Sequence, residues 1–192
     1  MDPRFFNMMV QRGDFPMSLQ IFILGILCEG NHHPYDIKKM FKKNNIEDVH
    51  KINDGTLYYN FDVLLKKGYI EKREVIREDN RPEKTTYGIT PKGREFLEQE
   101  IYASFRNFTG VESLYSSTLF LRHADKNKLI FLIEEVIDKM RNRSEQQNQE
   151  WESFKNKTPP SVHLIQDYIH NRMKLESEWL VKLLDFVKNG SL

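Results

Sequence analysis

The chain is poor in the features that mark a secreted protein, a membrane protein or an enzyme. It has one cysteine, Cys28. A lone thiol cannot close an intramolecular disulfide or furnish an all-cysteine metal site, and it fits a reducing cytosol. The neighbouring Glu29 opposes a thiolate, so Cys28 reads as a small core hydrophobe before it reads as a redox sensor. Long hydrophobic runs are missing too. The apolar run Leu19 to Cys28 is shorter than the roughly 20 residues that span a bilayer. It follows Asp14 and Pro16 and has no cleavage-site pattern, which argues against a signal peptide. These absences predict a cytoplasmic protein with no membrane partner. An excess of either charge is also lacking: 29 Lys and Arg against 28 Asp and Glu leave +1. The total does not advertise nucleic acid, so a DNA-binding surface has to come from local placement. There is no Gly-rich phosphate loop, and no Ser, His and acid arrangement is readable from spacing. His163 and Asp167 stand at i, i+4 without a third metal ligand. The expectation is therefore no enzyme, no cofactor and no metal.

What is present is organised around Asn53 to Gly68. Leu57, Phe61, Leu64 and Leu65 recur at helical spacing on one face. Thr56, Tyr59, Asn60, Val63, Lys66 and Lys67 occupy the other. Asn53 or Asp54 can cap the first turn, and Gly68 can end the helix in the left-handed conformation. Before it, Ser18 to Glu29 is apolar nearly all round and reads as a buried first helix. Pro34 opens a second helix to about Asn44, which buries Ile37, Met40 and Phe41 and exposes Lys38, Lys39, Lys42 and Lys43. After it, strands over 69–76 and 84–89 flank a polar turn, with Thr85, Tyr87 and Ile89 on one side. Thr90-Pro91 then starts a fourth helix. Three helices, a hairpin and a fourth helix make a winged helix-turn-helix, in which one helix offers polar side chains to a major groove.

The second half changes character. A short helix is expected around Val111 to Leu121. A long helix follows from Asp125 to about Lys155, and a last helix capped by Ser161 runs to about Lys188. Their apolar seams include Leu129, Ile133, Val136, Met140 and Trp151 on one, and Ile165, Ile169, Met173, Trp179 and Leu183 on the other. Two such helices joined by Thr158-Pro159-Pro160 leave a seam that a second copy can cover. The expected fold is mainly α. Residues 1–16 form an N-terminal arm, 17–106 a winged-helix DNA-binding domain and 107–192 a helical dimerisation domain.

Three pieces in order carry a family resemblance over about Met17 to Gly93. They are Gly25-Ile-Leu-Cys-Glu-Gly30 followed by Tyr35-Asp-Ile-Lys38; Asp54-Gly-Thr-Leu-Tyr58 closing with Leu65-Lys-Lys-Gly-Tyr-Ile70; and Arg81-Pro-Glu-Lys84 leading to Tyr87-Gly-Ile-Thr-Pro-Lys-Gly93. The chain resembles the PadR family of bacterial transcriptional regulators, in its branch with an extended helical second domain. It departs from the family at Pro34, where Gly is usual, and at Tyr59, where Pro is usual, so an operator preference does not carry over. The resemblance implies a repressor that dimerises through its helical second domain; the family's prototype responds to phenolic acids, and other members to drugs or to no known ligand. As a homodimer it would set two third helices in successive major grooves of a pseudo-palindromic operator, with a small aromatic compound as a candidate effector.

The DNA-contact candidates are Thr56, Tyr58, Tyr59 and Lys66 on the third helix, Tyr35, Lys38 and Lys39 on the second, and Arg81 and Lys84 on the wing. Lysines and hydroxyls on phosphates position a protein without reading sequence. Tyr58 and Tyr35 have a packing alternative. Trp151, Tyr168 and Trp179 are candidates to line an apolar effector cavity at a dimer seam, with plain core packing as the alternative. A winged helix that binds a protein partner is the rival reading, favoured by the near-neutral charge. It gains further if acidic side chains share the face of the third helix.

Overall fold

The computed structural model describes residues 18–43, 54–76 and 84–190. The arm over 1–16, the cap position Asn53 and the wing tip with Arg81 lie outside the described residues. So do the side chains of Phe41, Lys42, Lys43 and Asp54.

The first helix, α1 (Leu19–Glu29), is capped by Ser18, whose hydroxyl accepts the Ile21 N–H. Its run Ile21 to Leu24 is buried on every side, as an all-apolar helix requires. The second, α2 (Pro34–Lys43), begins at its proline and buries Ile37. The third, α3 (Asp54–Lys66), turns Leu57, Phe61 and Leu64 inward. It ends as its sequence suggests. Gly68 has φ +71°, its N–H reaches Leu65 O, and the Tyr69 N–H reaches Leu64 O. That pair of bonds satisfies the last carbonyls of the helix.

Strands β1 (Ile70–Ile76) and β2 (Lys84–Ile89) pair antiparallel, with Ile70 opposite Ile89 and Lys72 opposite Tyr87. A register shift between Lys72 and Val75 bends the hairpin. An additional rung is formed by His32, which exchanges both backbone hydrogen bonds with Tyr87. The sequence gives no sign of this bridge, because a single paired residue has no periodicity. Thr90 caps α4 (Pro91–Arg106) through the Gly93 N–H, and its own hydroxyl donates to Gly68 O at 2.8 Å. The closing of α3 and the opening of α4 are thus one joint. Tyr69 stacks on Phe96 there at 4.1 Å between ring centres, and Lys92 bonds Lys67 O.

The segment expected as one short helix is a 3-10 turn (Val111–Leu114), a short α5 (Tyr115–Leu119) and a second 3-10 turn (Leu121–His123). It docks on α1. Phe120 meets Phe22 edge to face, and a Cβ on Gly25 would lie 2.4 Å from the Phe120 ring. Asp125 caps the long α6 (Lys126–Phe154), and α7 (Pro160–Lys188) returns alongside it. The start of α7 departs from expectation. Its N-cap is Pro159 and no side chain caps it, so Ser161 does not serve as the cap. Pro160 stands in the first turn, where its missing N–H costs nothing. The architecture is mainly α, a winged helix-turn-helix with a long helical hairpin. One continuous core runs from Ile21 on α1 through Leu97, Ile101 and Phe105 on α4 to Leu129, Ile133 and Val187 on the hairpin. No helix among the described residues is long and apolar enough to cross a membrane.

Candidate nucleic-acid interface

The outward face of α3 follows from its inward one. With Leu57, Phe61 and Leu64 buried, the opposite stripe is Gly55, Tyr59, Asp62 and Lys66, at i, i+4, i+7 and i+11. All four are exposed, and Tyr59 is 66% exposed, far above what a packing role gives an aromatic side chain. Thr56 is exposed at one edge of the stripe and Tyr58 at the other. The helix is held at a fixed roll. Asn60 donates to Thr56 O at 2.8 Å and accepts from Gln20 Nε2 on α1. Asp62 is the residue that reading the sequence by apolar face alone overlooks. It is found by counting three and seven residues on from Tyr59 and Gly55.

Tyr87 joins the helix to its surroundings. Its backbone pairs with His32 and its ring meets Phe61 edge-on, 5.2 Å between centres. Its phenol is pushed up first by burial and then by the charges of Asp62 and Tyr58. Tyr58 is exposed and open to a partner.

Tyr35 and Lys39 are exposed at the start of α2, with the Lys39 ammonium 4.8 Å from the Tyr35 ring centre. Lys38 is half-buried. Lys84 is exposed at the first position of β2. It lies close enough to His33 to add to the burial that holds that imidazole below its ordinary range. The His33 Nδ1 accepts the Tyr35 N–H at 3.0 Å, which caps α2 with a ring nitrogen. The start of α2, the base of the wing and α3 are thus linked through His32, His33 and Tyr87.

The residues expected to form a dimer seam divide sharply. Leu129, Ile133, Val136, Met140 and Leu183 are buried within the single chain. Trp179 is half-buried against the same core. Their cover is intramolecular, so they are not open to a second copy. Trp151 packs on Phe154 and on His163 at the hairpin tip, where His163 also meets Thr158. Ile169 and Met173 line a cavity, and Ile165 is exposed. The large apolar side chains left in solvent are chiefly Leu164, Ile165, Tyr168 and Leu175 on α7, and Phe131 on α6.

The cavity lies between α4, α6 and α7 and holds about 150 Å³. Its aromatic lining is Phe105 and Phe108, and Trp151, Tyr168 and Trp179 are not among its lining residues. Arg106, Lys139, Arg143 and Arg172 give it a cationic rim. Glu176 stands among them, its carboxyl raised chiefly by burial despite Arg172. Among the described residues no three His, Cys, Asp or Glu side chains gather as a metal site.

Comparison with known proteins places part of this chain. Residues 23–99 match the model of the transcriptional regulator PadR-like family. A crystal structure of Bacillus subtilis PadR in complex with operator DNA is 18% identical, with a TM-score of 0.38, over 88% of this chain and 98% of that one. A transcriptional regulator from Clostridium thermocellum is 28% identical, with a TM-score of 0.38, over 47% of this chain and 89% of its own. Bacillus subtilis PadR in complex with p-coumaric acid is 18% identical, with a TM-score of 0.36, over 88% and 98%. No curated protein matches the chain.

Proposed function

We propose that this chain, whose residues 23–99 match the model of the transcriptional regulator PadR-like family, is a homodimeric, sequence-specific DNA-binding repressor. The observation that carries the proposal is the α3 stripe. A capped helix, held in roll by Gln20 and Asn60, leaves Tyr59 and Lys66 pointing outward over a buried apolar face. A major groove admits such a helix, and its base edges need polar side chains. Thr56, Tyr58, Tyr59 and Lys66 are the proposed groove contacts. Tyr35, Lys38 and Lys39 on α2, and Lys84 with Arg81 on the wing, are the proposed phosphate contacts. Two copies would set their α3 helices in successive grooves about 34 Å apart on a pseudo-palindrome.

The dimer face proposed for this reading is the open side of the hairpin. Leu164, Tyr168 and Leu175 repeat on one stripe of α7, away from the face that packs on α6. A gel shift against the DNA upstream of the gene itself tests the reading. A retarded band lost with Tyr59→Ala in a folded variant supports it. No shift with any promoter fragment at low salt overturns it.

Two further readings have their own observations. Asp62, an exposed acid in the middle of the α3 stripe, favours a winged helix that binds a basic protein partner. A pull-down of a basic protein at moderate salt, weakened by Asp62→Ala and unaffected by added DNA, would establish that reading. The cavity with Phe105, Phe108 and its cationic rim favours a small aromatic anion as effector. A thermal-shift series of aromatic carboxylates, with Arg143→Ala as the control, tests it.

A further inference from the structure

Asp62 poses a physical problem for a DNA-binding helix. It lies at the centre of the outward stripe, between Tyr59 and Lys66, and is exposed. Among the described residues it has no hydrogen bond and no ion pair, not even with Lys66 one turn on. Brought to a duplex, an unpaired carboxylate is repelled by every phosphate nearby. It weakens sequence-independent binding, which is electrostatic. Its place on the stripe makes sense if it meets a donor in the groove.

The chemistry of the base edges narrows that donor. A carboxylate only accepts hydrogen bonds. Guanine offers N7 and O6 and thymine offers O4, all acceptors, so each repels it. Adenine offers the N6 donor beside the N7 acceptor, a mixed edge that suits an amide better. Cytosine offers its N4 amino group with no acceptor of its own beside it. Building on the DNA-binding reading above, we propose that Asp62 is a specificity-determining residue that selects a cytosine in each half-site by accepting from its N4 amino group. The Tyr87 phenol, at the base of the wing, lies near enough to feel the charge of Asp62.

The experiment is selection of bound fragments from random DNA by the full chain, by Asp62→Asn and by Asp62→Ala. Far-UV circular dichroism checks that each is folded, as substitution at an exposed position allows. The wild type enriches a site with one invariant cytosine per half-site. Asp62→Asn, with a donor and an acceptor, moves that position to adenine, the pairing an amide makes through N6 and N7. Asp62→Ala relaxes it, losing on the order of five- to 150-fold of discrimination there. The same variant binds unrelated DNA more tightly at low salt, because a charge that phosphates repel has gone. If all three proteins enrich the same base at every position, the inference about Asp62 falls and the DNA reading stands. If neither the wild type nor either variant enriches any sequence, the DNA reading falls and takes this inference with it.

Discussion

Gly93 lies directly beneath the Tyr69 carbonyl. A Cβ on Gly93 would stand 2.0 Å from that backbone oxygen, closer than any real contact, and no side-chain rotation can relieve it. The same carbonyl accepts the Thr90 N–H, so it is held in place from the α4 side. Gly93→Ala must therefore part α3 from α4, or part β1 from its start. The expected loss exceeds the roughly 1–3 kcal/mol of ordinary overpacking, read as a lower urea midpoint. Gly68→Ala makes the useful comparison. Its surroundings are open but φ is +71°, so it should cost about 1 kcal/mol through the backbone alone. Equal losses for the two would show that the close approach at Gly93 is not what fixes it as glycine.

Gly25 and Phe120 form a second close pair, across the junction of α1 and α5. Gly25→Ala drives a methyl group into the buried Phe120 ring and should cost about 1–3 kcal/mol. Phe120→Leu leaves a cavity and should cost a comparable amount. The double variant should lose clearly less than the sum, because the smaller side chain makes room for the methyl. Strict additivity in a denaturation cycle would show that the two do not share one site.

Lys66 and Tyr59 should separate in their response to salt. Lys66→Ala removes one positive charge from the stripe that faces the DNA, so the slope of log affinity against log salt should become shallower by up to about one. Tyr59→Ala should weaken binding to a selected operator and leave the slope unchanged. Both are read by fluorescence anisotropy at several salt concentrations. A change of slope in the tyrosine variant would reassign its role.

Acid should loosen the start of α2. Burial, opposed by Asp36 and aided by Lys84, holds His33 below its ordinary value of 6.5, so the fold favours the neutral ring. A lowered folded value means that the unfolded chain binds the proton more readily. The contribution of His33 is therefore complete above about pH 6.5 and is lost as the pH falls through the depressed value. Protonation also removes the Nδ1 lone pair that accepts the Tyr35 N–H. His33→Asn keeps a capping acceptor that does not titrate. The fall in urea midpoint between pH 7.5 and pH 5.5 should be smaller in that variant than in the wild type. The difference between the two proteins isolates His33 from His123, which shifts the same way, and from Glu176, whose raised carboxyl acts in the opposite sense.

The open stripe of α7 gives a test of the proposed dimer. Leu164, Tyr168 and Leu175 are 73%, 66% and 67% exposed. Tyr168→Glu with Leu175→Glu should convert a dimer to a monomer in analytical ultracentrifugation without lowering the monomer's helix content. Leu129→Ala, by contrast, should destabilise the single chain by about 2–5 kcal/mol, because that side chain is wholly buried. A dimer that survives both glutamates would move the interface elsewhere.

Much of this fold is legible from local chemistry. Ser18, Thr90-Pro91 and Gly68 announce their helix ends because capping is decided by one or two residues. What local chemistry does not reveal is the partner of a surface. The spacing of Leu129, Ile133, Val136 and Met140 tells that one face of α6 is buried, but not that Leu180, Leu183 and Val187 of the same chain bury it. The bridge of His32 to Tyr87 is a contact between distant positions with no repeat to betray it. Ser161 looks like a cap by type, but Pro159 takes that position, and only the backbone shows which residue stands just outside the helix. In the candidate interface, Tyr59 and Lys66 follow from periodicity. Asp62 obeys the same periodicity and is missed when polar residues are sorted by expected partner and not by angle around the helix.

The core that passes unbroken from α4 into the hairpin bears on how such a chain can be inherited. Asp125, which starts α6, donates its N–H to the buried Tyr102 hydroxyl of α4, and Phe120 fills the groove that Gly25 leaves in α1. A gene cut after Arg106 would encode a winged helix with Tyr102, Phe105 and the Gly25 groove bare to water. Recombination could not pass the winged helix from one chain to another as a finished part. It would have to travel with the hairpin that completes it, and the two halves would diverge together.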